Sequence, residues 1–200
     1  MISWPLVATI ETGLFDEVFV STDSHEIAEV AEQFGARVLW RPHNLADSFT
    51  GTTPVIQNIL LNQLADLRGD SWLYMVYPTS PITSSIVQEF VSFAEQDPSK
   101  FSVSVGEFAN QIERAMELSI NGELAFLSPD HINSRSQDLK KYFYDAGKLY
   151  ASPVSAWRTT ISPLLEGPRA FRLPTWASVD IDTKDDWLIA ELCFTHLRDA

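Results

Sequence analysis

The chain of 200 residues has little positive charge, few glycines and a single cysteine. It carries 14 Lys and Arg residues against 27 Asp and Glu residues, which gives a formal net charge of −13. This balance argues against nucleic-acid binding and against binding to an anionic membrane, because both partners require a basic surface. An anionic small substrate is still compatible, provided that a few placed cations or a metal ion contact it. Cys193 alone excludes an internal disulfide.

The glycine pattern and the hydrophobic runs exclude further classes of protein. All eight glycines are isolated, so the sequence contains neither a Walker loop nor a GxGxxG turn. No apolar run approaches the ~20 residues of a membrane span, and the first residues lack the basic-then-apolar pattern of a signal peptide. We therefore expect a cytoplasmic protein. A hydrophobic content of 45% is sufficient for one well-packed domain.

Short apolar runs alternate with amphipathic segments in the first half of the chain. Four runs predict buried strands, at residues 17–21, 36–40, 71–76 and 101–105, and the segments between them predict helices. This alternation indicates an α/β sheet with helices on both faces. Asn121-Gly122 then predicts a β-hairpin within an antiparallel insertion. We expect a single domain over residues 1–200, with an inserted arm at about 108–152 of the kind that packs on a partner subunit.

The residues that follow the predicted strands form the candidate site, because ligands bind beyond the carboxyl ends of the strands in an open parallel sheet. Thr22 and Asp23 follow the first strand, although Asp23 with Glu26 also fits a capping box, which requires no ligand. Arg41 follows the second strand and is either a phosphate contact or a surface ion pair. Tyr77–Pro81 places two hydroxyls between two prolines, which suits either the recognition of a nucleobase edge or an ordinary turn.

Asp180 and Asp182 flank one apolar residue near the end of the chain. In an extended backbone their carboxylates point to the same side, where they repel each other unless a cation or a proton lies between them. Oxygen ligands of this kind suit Mg²⁺, which completes its shell with phosphates and water. From composition alone the favoured interpretation is that Asp182 caps the last helix and Asp180 is solvated.

Six segments of the sequence occur in one family's order: GLFDEVFVSTDSHEIAEVAEQFGA, RPHNLADSFTGTTPVI, YPTSP, HINSRSQD, DAGKLY and VDIDTKDDW. Together they resemble the CMP-sialic acid synthetase (acylneuraminate cytidylyltransferase) family, and in particular its pseudaminic acid branch. The resemblance implies a Rossmann-like nucleotidyltransferase sheet with helices on both faces and a small antiparallel dimerisation arm. It also implies transfer of CMP from CTP to an acidic nine-carbon 2-keto sugar with release of diphosphate, a requirement for Mg²⁺, and a homodimer.

The resemblance also implies roles for individual residues. Asp180 and Asp182 would be the catalytic, metal-binding pair. The residues implied to hold the nucleotide are Thr22, Asp23, Arg41, Thr79 and Ser80. The residues implied to bind the sugar are Tyr77, Arg135, Gln137, Asp138, Lys148 and Tyr150, with Arg135 reaching into the partner's site. Tyr77 stands where sialic acid members carry Gln, and Lys148 where close relatives have Gln or Ser, so the sugar is left open.

The start of the sequence also differs from the family. Family members begin with a strand and a basic turn, PARGGSKR followed by KN, that grips the CTP phosphates, and this segment lies outside the chain. We expect an N-terminally truncated domain that binds CTP weakly, with an unfilled place beside the strand at 71–76. Two alternatives remain open at this stage. One is a non-catalytic remnant or subunit of the same fold, and the other is a glycosyltransferase that uses Asp180-Ile181-Asp182 as its D-x-D motif.

Overall fold

A computed structural model describes residues 1–198 and shows helices alternating with strands. The helices are α1 (Ser3–Ile10), α2 (His25–Gln33), α3 (Thr52–Asn62), α4 (Ser84–Ala94), α5 (Val154–Trp157) and α6 (Lys184–Arg198). The strands are β1 (Phe19–Thr22), β2 (Arg37–Trp40), β3 (Trp72–Val76), β4 (Ser102–Glu107), β5 (Met116–Leu118), β6 (Leu124–Phe126), β7 (Phe143–Pro153) and β8 (Arg169–Arg172). The four strands predicted in the first half of the sequence are all present, with boundaries shifted by one or two residues.

The main sheet has four strands in the order β3–β7–β4–β8. Strand β7 runs antiparallel to both β3 and β4, and β8 runs parallel to β4. The sequence predicts the DAGKLY segment to belong to the inserted arm, but the structure places it in the centre of the main sheet as part of β7. The segment that lies outside this sheet is therefore 108–142, which is shorter than the expected 108–152.

Both faces of the main sheet are covered by helices, as the sequence predicts. Alternate residues of β3 enter two separate cores: Tyr74 packs in the core built on α4, whereas Leu73 packs in the core that contains Leu60 of α3 and Trp157 of α5. The indole Nε1 of Trp157 also donates to the carbonyl of Leu73 at 3.1 Å. These two buried layers fix the positions of β3, β7 and β4.

The first two strands form a separate, two-stranded parallel sheet. Helices α1 and α3 connect it to the main sheet, since each packs into the cores of both. In α1, Leu6 packs against Ala31 of α2 and Ala8 packs in the core on α4. In α3, Val55 packs with Leu39 of β2. Among the described residues no backbone hydrogen bond joins β1 to β3, so each of these strands has one unpaired edge.

Strands β5 and β6 form the predicted hairpin outside the main sheet. The turn is longer than a two-residue turn: Ser119 and Glu123 close it, and Gly122 has a φ of +83°, the left-handed conformation that glycine adopts without strain. The hairpin is largely exposed, with Ile120 at its tip fully open to solvent. In the described chain, no helix is long and apolar enough to cross a membrane.

Candidate active site

The candidate site is built around a bulge in β7. Val103 of β4 pairs with Tyr150, and Val105 pairs with Asp145, so that four residues of β7 lie opposite the single Ser104. Gly147 in this bulge has a φ of +63°, and the hydroxyl of Ser104 accepts a hydrogen bond from the Leu149 N–H at 2.9 Å. Bulges redirect side chains, and this one directs Lys148 toward the carboxyl end of β3.

Lys148 joins two predicted parts of the site. Its Nζ lies 3.0 Å from Oδ1 of Asp180 and 3.3 Å from the carbonyl oxygen of Thr79. The Lys148 side chain is 1% exposed, whereas that of Asp180 is 68% exposed. A buried ammonium requires such partners, because burial disfavours the charged form. The structure thus brings together Asp180, Thr79 and Lys148, which lie far apart in the sequence.

A second contact from β7 holds the segment that leads into Asp180. The hydroxyl of Tyr144 donates to the carbonyl and hydroxyl oxygens of Ser178, both at 3.3 Å. The Tyr144 ring crosses β4 at Gly106, where an added Cβ would collide with the ring. Ser178 is buried and its hydroxyl donates to the carbonyl of Thr175 at 3.0 Å. Asp180 is therefore positioned by two side chains of one strand.

Asp182 does not cap the last helix, contrary to the composition-based expectation. The cap of α6 is made by Thr183, whose Oγ1 accepts from the Asp186 N–H at 3.2 Å, while Oδ2 of Asp186 accepts from the Thr183 N–H at 2.8 Å. The hydrogen bonds from the Thr183 hydroxyl and N–H lower the pKa of Asp186. The carboxylate of Asp182 is exposed and makes no hydrogen bond to any described residue. It is therefore available to a ligand.

The oxygen donors of Asp180 and Asp182 fit the chemistry of Mg²⁺, which binds one or two carboxylates and fills its shell with phosphate and water oxygens. Oδ2 of Asp180 and both carboxylate oxygens of Asp182 have no partner within the described residues. The described residues contain no group of three or more His, Cys, Asp or Glu side chains that could hold a metal ion. A metal ion at this pair would thus depend on oxygens from a ligand or from water.

The residues predicted at the carboxyl end of β1 form a second group. The cap of α2 is Ser24, which accepts from the Ile27 N–H at 3.4 Å, so the expected capping role of Asp23 is wrong. Asp23 is exposed, and Thr22 is buried with its hydroxyl accepting from the Ser24 N–H. Arg41 donates from Nη2 to the carbonyl of Ser21 at 2.8 Å. Arg41 makes no ion pair with any residue of the described chain, and its hydrogen bond to Ser21 closes the end of the β1–β2 sheet.

Tyr77 and Tyr150, both predicted to bind the sugar, line one cavity of about 300 Å³. The hydroxyl of Tyr77 lies 2.5 Å from Oγ1 of Thr52, and that of Tyr150 donates to Oδ2 of Asp145 at 2.5 Å. Burial, together with the hydrogen bond to Asp145, raises the pKa of Tyr150, so the phenol stays protonated at neutral pH. Lys148 lies beside Tyr77 in the sheet, but its side chain does not line this cavity.

Within the described chain, the side chains of the remaining predicted residues make no hydrogen bond to the other residues of the candidate site. Ser80 is buried, and its hydroxyl has no partner among the described residues. The side chains of Arg135, Gln137 and Asp138 are exposed and contact none of the groups above within the described chain. The structure also adds residues that sequence reasoning missed, Tyr144, Ser178 and Asp145. Their only sequence signal is proximity to Lys148 and Asp180, because their contacts depend on the pairing of β7.

Comparison with known proteins identifies relatives over nearly the whole chain. A family model described as cytidylyltransferase matches residues 1–85. A pseudaminic acid cytidylyltransferase of Campylobacter jejuni is 33% identical over 97% of this chain and 84% of its own length. A CMP-N,N'-diacetyllegionaminic acid synthase of Legionella pneumophila is 28% identical over 96% of this chain and 83% of its own length.

Solved structures of cytidylyltransferases share the fold. A 4-diphosphocytidyl-2C-methyl-D-erythritol synthase superimposes with a TM-score of 0.66 and 10% identity over 96% of this chain and 89% of its own length. A CMP:2-keto-3-deoxy-manno-octonic acid synthetase, solved in complex with CTP, gives a TM-score of 0.59 and 12% identity over 100% of this chain and 88% of its own length. These findings do not favour the D-x-D glycosyltransferase alternative. The chain belongs to the cytidylyltransferase family that includes the pseudaminic acid cytidylyltransferases.

Proposed function

We propose that this chain is a nucleotidyltransferase that transfers CMP from CTP to a nine-carbon 2-keto acid sugar of the pseudaminic or sialic acid type. The observation that carries the proposal is the pair Asp180 and Asp182, exposed beyond the strands and not used as helix caps. The identity of 33% to a pseudaminic acid cytidylyltransferase supports the choice of nucleotide and sugar class.

In the proposed reaction the anomeric hydroxyl of the sugar attacks the α-phosphorus of CTP. A new oxygen–phosphorus bond forms, the bond to the β-phosphate breaks, and diphosphate leaves. Asp180 and Asp182 would hold Mg²⁺, which when bound supplies positive charge to neutralise the phosphates. The chain's own contribution is mainly positioning, since phosphoryl transfer needs little covalent chemistry from the protein.

Two groups of residues position the substrates in this proposal. Thr22, Asp23, Arg41, Thr79 and Ser80 surround the nucleotide, and the cavity at Tyr77 and Tyr150 receives the sugar. The protonated phenol of Tyr150 and the carboxylate of Asp145 present a polar wall to the sugar hydroxyls. Arg135, Gln137 and Asp138 lie on the exposed arm and would meet the sugar from a partner subunit.

The proposed dimer uses the segment outside the main sheet. Its hairpin exposes Leu118, Leu124 and Leu127 by more than half of their surface, and dimerisation would bury these side chains. Sedimentation velocity should show a dimer for the wild-type chain, and Leu118→Lys with Leu124→Lys should shift it to monomer. A wild-type monomer at all concentrations would contradict this part of the proposal.

The proposed function also implies a location in the cell. Because CTP is an intracellular metabolite, we propose that the reaction takes place in the cytoplasm, and fractionation of cells that express the protein tests this.

The reaction itself is tested by release of diphosphate from CTP with pseudaminic acid or N-acetylneuraminic acid as acceptor. Asp182→Asn should lower the rate at least about 100-fold, as the loss of one electrostatic group in an active site commonly does. Asp185→Asn is the matched control: it makes the same charge change three residues later, at an exposed position in the first turn of α6. If folded wild-type protein releases no diphosphate with either sugar, the proposed activity toward these sugars is contradicted and the non-catalytic alternative of the same fold is favoured.

A further inference from the structure

Lys148 places its ammonium group directly against one carboxylate of the candidate metal site. Its Nζ contacts Oδ1 of Asp180 at 3.0 Å, and the rest of the side chain is enclosed. The ammonium reaches this position because the bulge with left-handed Gly147 interrupts the regular alternation of β7. The contacts with Asp180 and the Thr79 carbonyl offset part of the cost of burying the charge.

The charge balance at the carboxylate pair follows from this contact. Asp180 and Asp182 carry two negative charges, and Lys148 cancels one of them. A divalent cation that approaches this pair without a nucleotide therefore meets a net charge of −1, and it is repelled by an ammonium a few ångströms away. The phosphates of a nucleotide bring additional negative charge and additional oxygen ligands, which restore favourable conditions for the metal.

We propose that Lys148 is the resident counter-cation of Asp180 and makes metal binding at Asp180 and Asp182 depend on the nucleotide. The metal ion then enters together with the triphosphate, and the nucleotide-free site holds it weakly. Lys148 is in this sense a positioning residue, because it acts on the metal through Asp180. This inference rests on the proposed function, which supplies the nucleotide and the metal ion.

The test is a titration of the full chain with Mn²⁺ alone. The electron paramagnetic resonance signal of the free ion measures how much Mn²⁺ remains unbound. Lys148→Met removes the charge and shortens the unbranched side chain by only one heavy atom. We expect it to bind Mn²⁺ about tenfold more tightly than wild type, because a unit charge a few ångströms away is removed. A purely structural role for Lys148 would not produce tighter metal binding when the residue is lost.

Three further variants make the result specific. Lys141→Met is the matched control, since Lys141 is an exposed lysine paired with Glu107, and its loss changes the net charge equally. It should leave the Mn²⁺ affinity within about twofold of wild type. Lys148→Gln should behave like Lys148→Met and replaces it if the methionine variant does not fold. Adding Asp180→Asn to Lys148→Met should abolish the gain.

A second titration in the presence of CTP separates this inference from the proposed function. CTP should raise the Mn²⁺ affinity of wild type more than that of Lys148→Met. If CTP changes no variant while the nucleotide-free difference persists, the counter-cation role of Lys148 is confirmed, whereas the nucleotide dependence of metal binding is contradicted together with the proposed function. If the folded Lys148 variants bind Mn²⁺ no more tightly than wild type without nucleotide, the inference is wrong.

Discussion

The two halves of the candidate site rest on different scaffolds. The half with Lys148 and Asp180 is attached to β7, which has hydrogen-bonded strands on both sides and packed helices on both faces. The half with Thr22, Asp23 and Arg41 is attached to the two-stranded sheet, in which β1 has one unpaired edge. The β7 half is held by long-range contacts between side chains, and the β1 half mainly by contacts within two neighbouring loops.

This difference indicates which half of the site is held in a fixed geometry before any ligand binds. Lys148, Tyr144 and Ser178 are locked by packing and hydrogen bonds that cross the main sheet. The Asp23 side chain makes no hydrogen bond or ion pair with a described residue, and the Arg41 side chain is hydrogen-bonded only to Ser21 among the described residues. We therefore expect the β7 half to be preorganised and the β1 half to be adjustable.

The largest expected effect comes from removing the packing beneath the β7 half. Trp157→Ala deletes a buried indole and its hydrogen bond to Leu73, and should destabilise the chain by about 3–5 kcal/mol. Trp40→Ala, in the two-stranded sheet, removes a half-exposed indole and should cost less than about 1 kcal/mol. Urea unfolding followed by circular dichroism measures both. Equal losses would show that the two scaffolds contribute equally to stability.

A smaller effect is expected where Tyr144 crosses β4. Gly106→Ala places a Cβ into the Tyr144 ring and should destabilise the chain by about 1–3 kcal/mol. It should also loosen the Ser178 contact and thereby displace Asp180. Gly51→Ala serves as the control, since an added Cβ there meets no atom within 4 Å. If Gly106→Ala unfolds at the same urea concentration as wild type, Tyr144 is free to move aside and does not anchor the site.

Hydrogen exchange compares the two scaffolds directly. The amides of β4 and β7 should exchange only on global unfolding, because both strands are paired on two sides and buried. The N–H of Arg37 in β2 donates to Val18, and that of Arg41, directly after β2, donates to Thr22. These amides and those of β2 between them should exchange about tenfold faster or more through local opening. Mass spectrometry of peptic fragments resolves these segments. Equal protection in both sheets would contradict an adjustable β1 half.

The smallest effects concern the helix caps beside the two acidic residues. Thr183→Ala and Ser24→Ala should each cost about 1 kcal/mol, the usual value for a lost N-cap. The Thr183 hydrogen bonds lower the pKa of Asp186 in the folded state, so their contribution is present above the unfolded pKa. It is lost as the pH falls through the folded pKa, and the difference between Thr183→Ala and wild type should shrink below about pH 4.

The controls for the caps are Asp182→Ala and Asp23→Ala, which should leave the stability of α6 and α2 unchanged. Thermal unfolding at several pH values provides the measurement. If Asp182→Ala costs as much as Thr183→Ala, then Asp182 supports the helix after all, and its availability to a ligand is lost. The same comparison between Asp23 and Ser24 applies to the β1 half.

The sequence predicts local features of this molecule better than long-range ones. The periodicity of the first half identifies the strands and helices, since it is set by which residues can be buried. The predicted helix caps at Asp23 and Asp182 are each wrong by one residue. Ser24 and Thr183 are equally good caps, and only the backbone geometry decides between neighbouring residues. The contact of Lys148 with Asp180 depends on β7 pairing between β3 and β4, and no local pattern encodes that pairing.

The buried Lys148 is a residue that selection for stability alone would not retain. Removing one partner of an ion pair is costly when it leaves the other charge buried. Asp180 is 68% exposed and stays hydrated without Lys148, so an apolar side chain of similar volume at position 148 removes the cost of burying the ammonium. Selection for folding alone would therefore favour methionine or leucine at position 148. With lysine at this position, the free energy of unfolding is lower than it would be with one of these apolar residues. We expect Lys148→Met to melt at or above the wild-type temperature, so that protein engineering for thermostability would remove this group first and change the site unnoticed.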